Sequence, residues 1–149
     1  MKKIISIFIL SLYLFQPFTS LADSVSDAKT IFTRYGNLEA SFDSSLADLY
    51  SDDALIKNKR TYPTGQVREI VLPAPKYKQL IRTTMPLAKL RGDYSTYSDV
   101  KFEKEGSAVR VSAKRFSVLK KYYSPIYLLV APTQSGNWLI IEEISESQP

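Results

Sequence analysis

The second half of the chain consists of strand-length segments separated by short turn sequences, and this pattern constrains the fold more than any other feature. The segment 94–104 alternates between apolar and polar residues, and Glu105-Gly106-Ser107 is typical of a turn. The predicted strands of this region are 94–104, 108–121, 124–131 and 138–145. The apolar positions of the second strand change phase before Phe116, which predicts a β-bulge near Lys114 and Arg115. The region is therefore expected to form an antiparallel sheet.

Two of these strands, 126–130 and 138–141, are apolar at consecutive positions and so have two apolar faces. Helices of the same chain can cover one face of the sheet. The other face needs cover as well, and a second copy of the chain supplies it most simply. A homodimer is therefore expected, with its interface drawn from Tyr127, Leu129, Leu139 and Ile141.

Helices are predicted in the first half of the chain. Apolar residues recur there at steps of three and four, which places them on one side of a helix. The predicted helices are 24–42, 43–50 and 76–91, and the predicted strands of a hairpin between them are 54–59 and 67–72. Gly92 is expected to cap the third helix, whose predicted inward residues are Leu80, Ile81, Thr84, Leu87 and Ala88. The predicted fold class is α+β, with three helices from the N-terminal half packed on a mainly antiparallel sheet.

The first 22 residues have the three regions of a cleaved secretory signal. Lys2 and Lys3 precede an apolar run at 4–15, and Ser20-Leu21-Ala22 provides small residues at the two positions that a signal peptidase requires. The apolar run is shorter than the roughly 20 residues that span a bilayer as a helix. The chain is therefore expected to be exported, to the periplasm or beyond, and residues 23–149 to form a single domain.

Composition excludes several kinds of chemistry. The chain has no cysteine and no histidine, so it lacks a thiol nucleophile, a disulfide and the commonest general base. No metal and no cofactor are expected. Residues 57–121 carry 16 Lys and Arg against 5 Asp and Glu. This block could attract nucleic acid, anionic lipid or an acidic partner, but a solvated face explains it as well. Because the chain is exported, a nucleic-acid partner is not expected.

Short motifs in the expected order of elements resemble the nuclear transport factor 2-like superfamily. The residues that carry the resemblance are Tyr35, the segment Leu49-Tyr50-Ser51-Asp52-Asp53-Ala54, and Gly136-Asn137-Trp138-Leu139-Ile140-Ile141. The resemblance spans nearly all of residues 23–149. It implies a strongly curved sheet that wraps the long helix as a cone and leaves a pocket at its wide end. The superfamily contains both enzymes and plain binding domains, so the fold does not determine the function.

The ketosteroid isomerase branch of this superfamily allows a comparison residue by residue. The resemblance places Tyr35 at the position of its oxyanion donor, Asn58 at the position of its base and Tyr127 at the position of its late acid. An amide cannot take up a proton at neutral pH, so Asn58 cannot replace the base. No ketosteroid isomerisation is therefore expected.

Polar and aromatic residues in this frame are the candidates for a pocket. They are Tyr35, Tyr50, Asn58, Tyr94, Lys114, Tyr127 and Glu143. Glu143 is expected to point inward and to pair with a basic neighbour. The leading interpretation is a non-catalytic binding domain that holds a small amphipathic ligand in its cone or a protein partner on its sheet. The alternatives are an isomerase- or lyase-like enzyme that uses Tyr35 with an unidentified acid, and an interaction or immunity protein of the cell envelope.

Overall fold

A computed structural model describes residues 21–149, with side chains from Ser24 onward. Residues 1–20, and with them nearly all of the predicted signal peptide, lie outside the described part. The elements in chain order are α1 (Leu21–Ala40), a 3₁₀ helix (Ser44–Leu49), β1 (Tyr50–Thr61), β2 (Val67–Pro73), α2 (Ala74–Arg91), β3 (Ser95–Glu105), β4 (Ala108–Ser117), β5 (Tyr122–Pro132) and β6 (Trp138–Ser147). All predicted elements are present, although β1 begins four residues earlier than expected.

Local sequence signals explain where the short helix begins and where α2 ends. The Asp43 carboxylate accepts a hydrogen bond from the backbone N–H of Ser45 at 2.8 Å, which satisfies one free donor of the first turn. Gly92 has a φ of 62°, a left-handed conformation that glycine adopts without steric cost, and its N–H closes the last turn of α2. The predicted cap at Gly92 is confirmed.

Six strands form one sheet in the order β2-β1-β6-β5-β4-β3. All neighbours are antiparallel except β1 and β6, which run parallel. The sheet curls, so that β3 to β6 contact α1 while β1 and β2 contact α2. The predicted α+β class, with three helices on a curved and mainly antiparallel sheet, is confirmed. The concave face holds the core.

The prediction for the inward face of α2 is partly wrong. Ile81 is buried as expected, but Leu80 and Leu87 are 46% and 47% exposed. The buried stripe passes through Ala74, Ile81 and Met85 instead. Leucine lies on both sides of this helix, so hydrophobicity alone could not select the face that meets the sheet.

The predicted bulge near Lys114 and Arg115 is also displaced. Residues 109–117 of β4 pair with β5 without interruption. The irregularity lies in the neighbouring strand, between Ser98 and Lys101 of β3, where Asp99 has a φ of 53°. Because the alternation of β4 continues unbroken, Arg115 takes an inward position where an apolar residue was expected.

The convex face of the sheet carries Tyr127 and Leu129 of the expected dimer interface. Tyr127 and Leu129 alternate with the buried residues Ile126 and Leu128 and so lie on this outer side. The helices pack on the concave side, where the buried core lies. The homodimer stays a prediction.

Candidate functional site

A cavity of about 240 Å³ lies between the concave face of the sheet and the first turns of α2. We call it the cone cavity; its lining consists of Ile56, Asn58, Ile70, Leu72, Tyr77, Arg115, Glu143, Ser145 and Ser147. Its three aliphatic residues come from β1 and β2, whereas most of its polar residues come from β4 and β6. The lining is therefore amphipathic, with an apolar wall that faces a polar one.

Glu143 is the buried carboxyl group of this cavity. It sits on β6 at a core-facing position and is 2% exposed. Its Oε1 accepts a hydrogen bond from the Tyr77 hydroxyl at 3.2 Å, and its Oε2 accepts one from the Tyr50 hydroxyl. Burial raises the pKa of Glu143, although these hydrogen bonds and the nearby Arg115 oppose the shift. Tyrosines, rather than the expected basic neighbour, are therefore the direct partners of Glu143.

The two tyrosines are donors at neutral pH. Burial, followed by the proximity of Glu143, raises the pKa of Tyr50 and of Tyr77 well above the usual value. Their rings pack edge to face with centroids 5.4 Å apart. The pair comes from β1 and α2, so the carboxyl group links a strand and a helix across the cavity floor.

Asn58 lines the cavity, but its amide is already engaged. Its Nδ2 donates to the Ser145 hydroxyl at 3.0 Å, and its Oδ1 accepts from the Ser147 hydroxyl at 2.7 Å. These bonds join β1 to β6 along the parallel strand pair. The residue at the position of the isomerase base is thus an amide that holds two strands together.

Arg115 brings a permanent positive charge to the same cavity. Its Nε donates to the Ser124 hydroxyl at 3.2 Å, and its Nη2 donates to the backbone carbonyl of Glu146. Both acceptors are uncharged. Within residues 24–149, the ion pairs closer than 4.0 Å involve other cations. The guanidinium group therefore faces the cavity without a carboxylate in direct contact.

Tyr35 lies deeper in the core, outside the lining of the cavity. Its ring stacks parallel to Phe32 at 6.1 Å and meets Tyr97 edge to face at 5.7 Å. The Tyr97 hydroxyl donates to Glu39, and burial raises the pKa of that carboxyl group. Burial likewise raises the pKa of Tyr35 well above its usual value. A second, half-buried tyrosine–carboxyl network thus sits behind the cavity.

The other predicted pocket residues lie elsewhere. Tyr94 lines a groove of about 530 Å³ between α1 and β3. Lys114 and Tyr127 line a shallow depression of about 470 Å³ on the convex face. Alternation along β4 and β5 turns both residues away from the cone. Of the seven candidates, Asn58 and Glu143 line the cone cavity. Tyr50 lies outside the lining and donates its hydroxyl to Glu143.

Several lining residues were missed by the sequence analysis, notably Tyr77, Arg115, Ser145 and Ser147. Tyr77 follows the proline that opens α2, so its helical position could have placed it on the buried stripe with Ile81. Ser145 and Ser147 share the face of Glu143 at steps of two along β6. Arg115 shares the inward face of β4 with Val111 and Ala113. The predicted bulge would have changed this alternation, so Arg115 was not among the predicted pocket residues.

The lining offers hydrogen-bond donors and acceptors to a bound molecule, and Glu143 is a group that can exchange a proton. No cluster of acidic side chains fit to hold a metal occurs among the described residues. No helix in residues 21–149 is long and apolar enough to cross a membrane. Glu143 is the carboxyl group within reach of a molecule in the cone cavity, but both of its oxygens accept tyrosine hydroxyls. Recognition of polar groups is the chemistry that this lining supports most directly.

Solved structures show the same arrangement of elements. An NTF2-like protein with a cystatin-like fold from Novosphingobium aromaticivorans is 16% identical, with a TM-score of 0.56 over 85% of this chain and 82% of that one. An NTF2-like protein of unknown function from Pseudomonas putida is 12% identical, with a TM-score of 0.65 over 86% and 88%.

A third protein, from Streptomyces avermitilis, is named as a candidate dehydratase of the NTF2-like family. It is 13% identical, with a TM-score of 0.58 over 85% of this chain and 97% of that one. No protein-family model matches the chain, and no curated protein matches it at a significant level. At these identities the likeness establishes the fold alone. The chain has the nuclear transport factor 2-like, cystatin-like fold.

Proposed function

We propose that this protein is an exported binding domain that holds a small amphipathic molecule in the cone cavity. The observation that carries the proposal is the division of the lining into an aliphatic wall (Ile56, Ile70, Leu72) and a polar wall. Ligand sites typically combine an apolar lining with a few polar groups that fix orientation. The cavity of about 240 Å³ is smaller than the roughly 300–1,000 Å³ of drug-sized sites. The ligand is correspondingly small.

Asn58 and Glu143 favour binding over catalysis, because their polar atoms are already hydrogen-bonded within the protein. Asn58 is held by Ser145 and Ser147, and the oxygens of Glu143 are held by Tyr50 and Tyr77. A base must approach the proton that it removes to hydrogen-bond distance. Here each carboxyl oxygen already accepts a tyrosine hydroxyl, and these hydrogen bonds lower the affinity of the carboxylate for a proton. Asn58 and Glu143, held in this way, suit recognition better than proton transfer.

The proposal can be tested by narrowing the cavity at its mouth. Ile70 is 37% exposed and lines the cavity, whereas Val71 is 53% exposed and points to the convex face of the same strand. We expect Ile70→Trp to weaken binding of short-chain alcohols (butan-1-ol to octan-1-ol) by at least about tenfold, because the indole occupies their volume. Val71→Trp is the matched control and is expected to leave the affinity unchanged.

The measurement is a titration followed by backbone amide chemical shifts. Saturable shifts are expected at residues around the cavity, such as Ile56 and Ser145. If Ile70→Trp binds these alcohols as well as the wild type does, the binding function assigned to this cavity is wrong.

A dehydratase-like enzyme is the second candidate, and Glu143 is the observation that favours it. Buried carboxyl groups with a raised pKa recur at catalytic sites. In that case Glu143→Gln would abolish turnover of a hydroxylated substrate while binding persisted. Loss of binding together with turnover would instead assign Glu143 to recognition.

Export is the part of the proposal that depends on residues 1–22. N-terminal sequencing of the protein purified from its native host is expected to begin at Asp23. A chain that begins at Met1 would contradict it.

A further inference from the structure

We propose that the cone cavity selects an anionic amphiphile, a short-chain carboxylate, with Arg115 as the anchor of its head group. This inference rests on the binding function proposed above and names the chemical class of the ligand. It is carried by the contacts of three arginines on the concave side of the sheet.

The first step is that Arg115 has no carboxylate in direct contact, although Glu143 and Glu39 act on its charge from farther away. A guanidinium has five N–H donors, and Arg115 uses two of its nitrogens on uncharged acceptors, Ser124 Oγ and the Glu146 carbonyl. Removing a cation from water is costly unless an anion compensates it. The described side chains place no carboxylate within 4.0 Å of this group. A ligand that carries an anion would supply the missing partner.

The second step is that Glu143, the cavity's own carboxyl group, is committed elsewhere. Its oxygens accept the hydroxyls of Tyr50 and Tyr77 instead of the guanidinium N–H groups. Burial also raises its pKa, which favours its uncharged form. Glu143 therefore acts on Arg115 from a distance and without direct contact, although both residues line the same space.

The third step is the positive charge near the mouth. Arg60 and Arg68 face each other across β1 and β2, and they continue the concave-side positions of Asn58 and Ile70. Their guanidinium carbons lie 5.7 Å and 5.5 Å from the Tyr62 ring centroid. Like charges placed directly opposite in a sheet are destabilising.

Neither arginine of this pair forms an ion pair within the described residues, and the Nε of Arg60 is buried without a hydrogen-bond partner. A pair of uncompensated cations near the entrance attracts anions and repels cations. Arg60 and Arg68 near the entrance and Arg115 inside the cavity thus attract the same kind of ligand, an anion.

The apolar wall determines the rest of the ligand. Ile56, Ile70 and Leu72 offer hydrocarbon contact but no hydrogen bond from their side chains. At roughly 30 Å³ for each water-sized group, the cavity has room for about eight such groups. Arginine pairs with a carboxylate through two parallel hydrogen bonds. A carboxylate with an aliphatic tail of a few carbons matches the charge, the size and the polarity of the site.

The test compares three six-carbon probes with different head groups: hexanoate, hexan-1-ol and hexylamine. Each is titrated into the wild type, Arg115→Met, Arg115→Lys and Arg110→Met, and amide chemical shifts report binding. Arg110 is the matched control, because it lies on the convex face of the same strand and pairs with Glu105 and Glu142. We expect the wild type to bind hexanoate about 10- to 100-fold more tightly than hexan-1-ol, as a charged hydrogen bond implies.

The variants separate the anchor from the cavity. Arg115→Met is expected to bind hexanoate no better than hexan-1-ol, Arg115→Lys to keep part of the preference, and Arg110→Met to keep all of it. If Arg115→Met fails to fold, the affinities of the three probes for the wild type and for Arg115→Lys still test whether Arg115 binds the head group. If the wild type binds hexanoate and hexan-1-ol equally, the preference for an anionic ligand is wrong, but the proposed binding function stands. If it prefers hexylamine, Glu143 binds the head group, and the preference for an anionic ligand is again wrong. Absence of binding by all three probes contradicts the proposed binding function itself.

Discussion

Replacing Tyr50 with alanine is expected to lower the free energy of unfolding by about 3–5 kcal/mol, the range for a large aromatic side chain lost from a core. Tyr50 is 1% exposed, packs edge to face against Tyr77 and donates its hydroxyl to Glu143. The substitution removes the ring and leaves a buried carboxyl oxygen without its donor. Chemical denaturation in urea at neutral pH measures the change.

Tyr50→Phe is the matched control, because it keeps the ring and removes only the hydroxyl. We expect it to cost about 1–3 kcal/mol, the penalty for a buried polar group left unpaired. The difference between the two variants isolates the packing of the ring. If both variants unfold at the wild-type urea concentration, Tyr50 contributes neither packing nor a hydrogen bond of value, and the described floor of the cavity is wrong.

Wild-type stability is expected to fall as the pH rises from about 4.5, because two carboxyl groups, the buried Glu143 and the half-buried Glu39, hold their protons more tightly in the folded state. Burial raises the pKa of Glu143 and the pKa of Glu39 above the ordinary value of 4.5. Above that value the unfolded chain releases the proton first, so the folded state binds more protons. The stabilisation is complete below the unfolded-state pKa and is lost as the pH passes the folded-state pKa. Each group contributes at most about 1.4 kcal/mol per pH unit.

The groups around Glu143 determine how far its pKa is raised. Tyr35 of α1, Tyr50 of β1 and Tyr77 of α2 are uncharged at these pH values, and Arg115 of β4 opposes the shift without cancelling it. Glu143→Gln should therefore reduce the slope of unfolding free energy against pH, measured between about pH 5 and pH 8.

Glu39→Gln should reduce the slope as well, and the double variant should be the flattest of the four proteins. The exposed carboxyl groups of Asp43 and Asp52 have a lowered pKa, so their stabilisation is lost at more acidic pH and in the opposite sense. A slope in this range that Glu143→Gln leaves unchanged would show that Glu143 titrates normally.

Much of the architecture could be predicted from the sequence, because it depends on local patterns. The period of the apolar residues distinguishes α1 from the strands, Asp43 marks the start of a helix, and Gly92 marks the end of another. These signals involve residues that are near one another in the chain.

Tertiary structure alone decided which groups meet at the cone cavity. Leucine occurs on two sides of α2, so the face that packs became clear only when the sheet buried Ile81 and Met85 and left Leu80 and Leu87 exposed. The apolar phase of Phe116 and Val118 predicted a bulge, whereas β4 continues regularly and places the half-buried Arg115 on its inward face. The partners that make that position tolerable, Ser124 and the carbonyl of Glu146, come from β5 and β6. Contacts of this kind join residues that are distant in the chain, and no local pattern of hydrophobicity or charge encodes them.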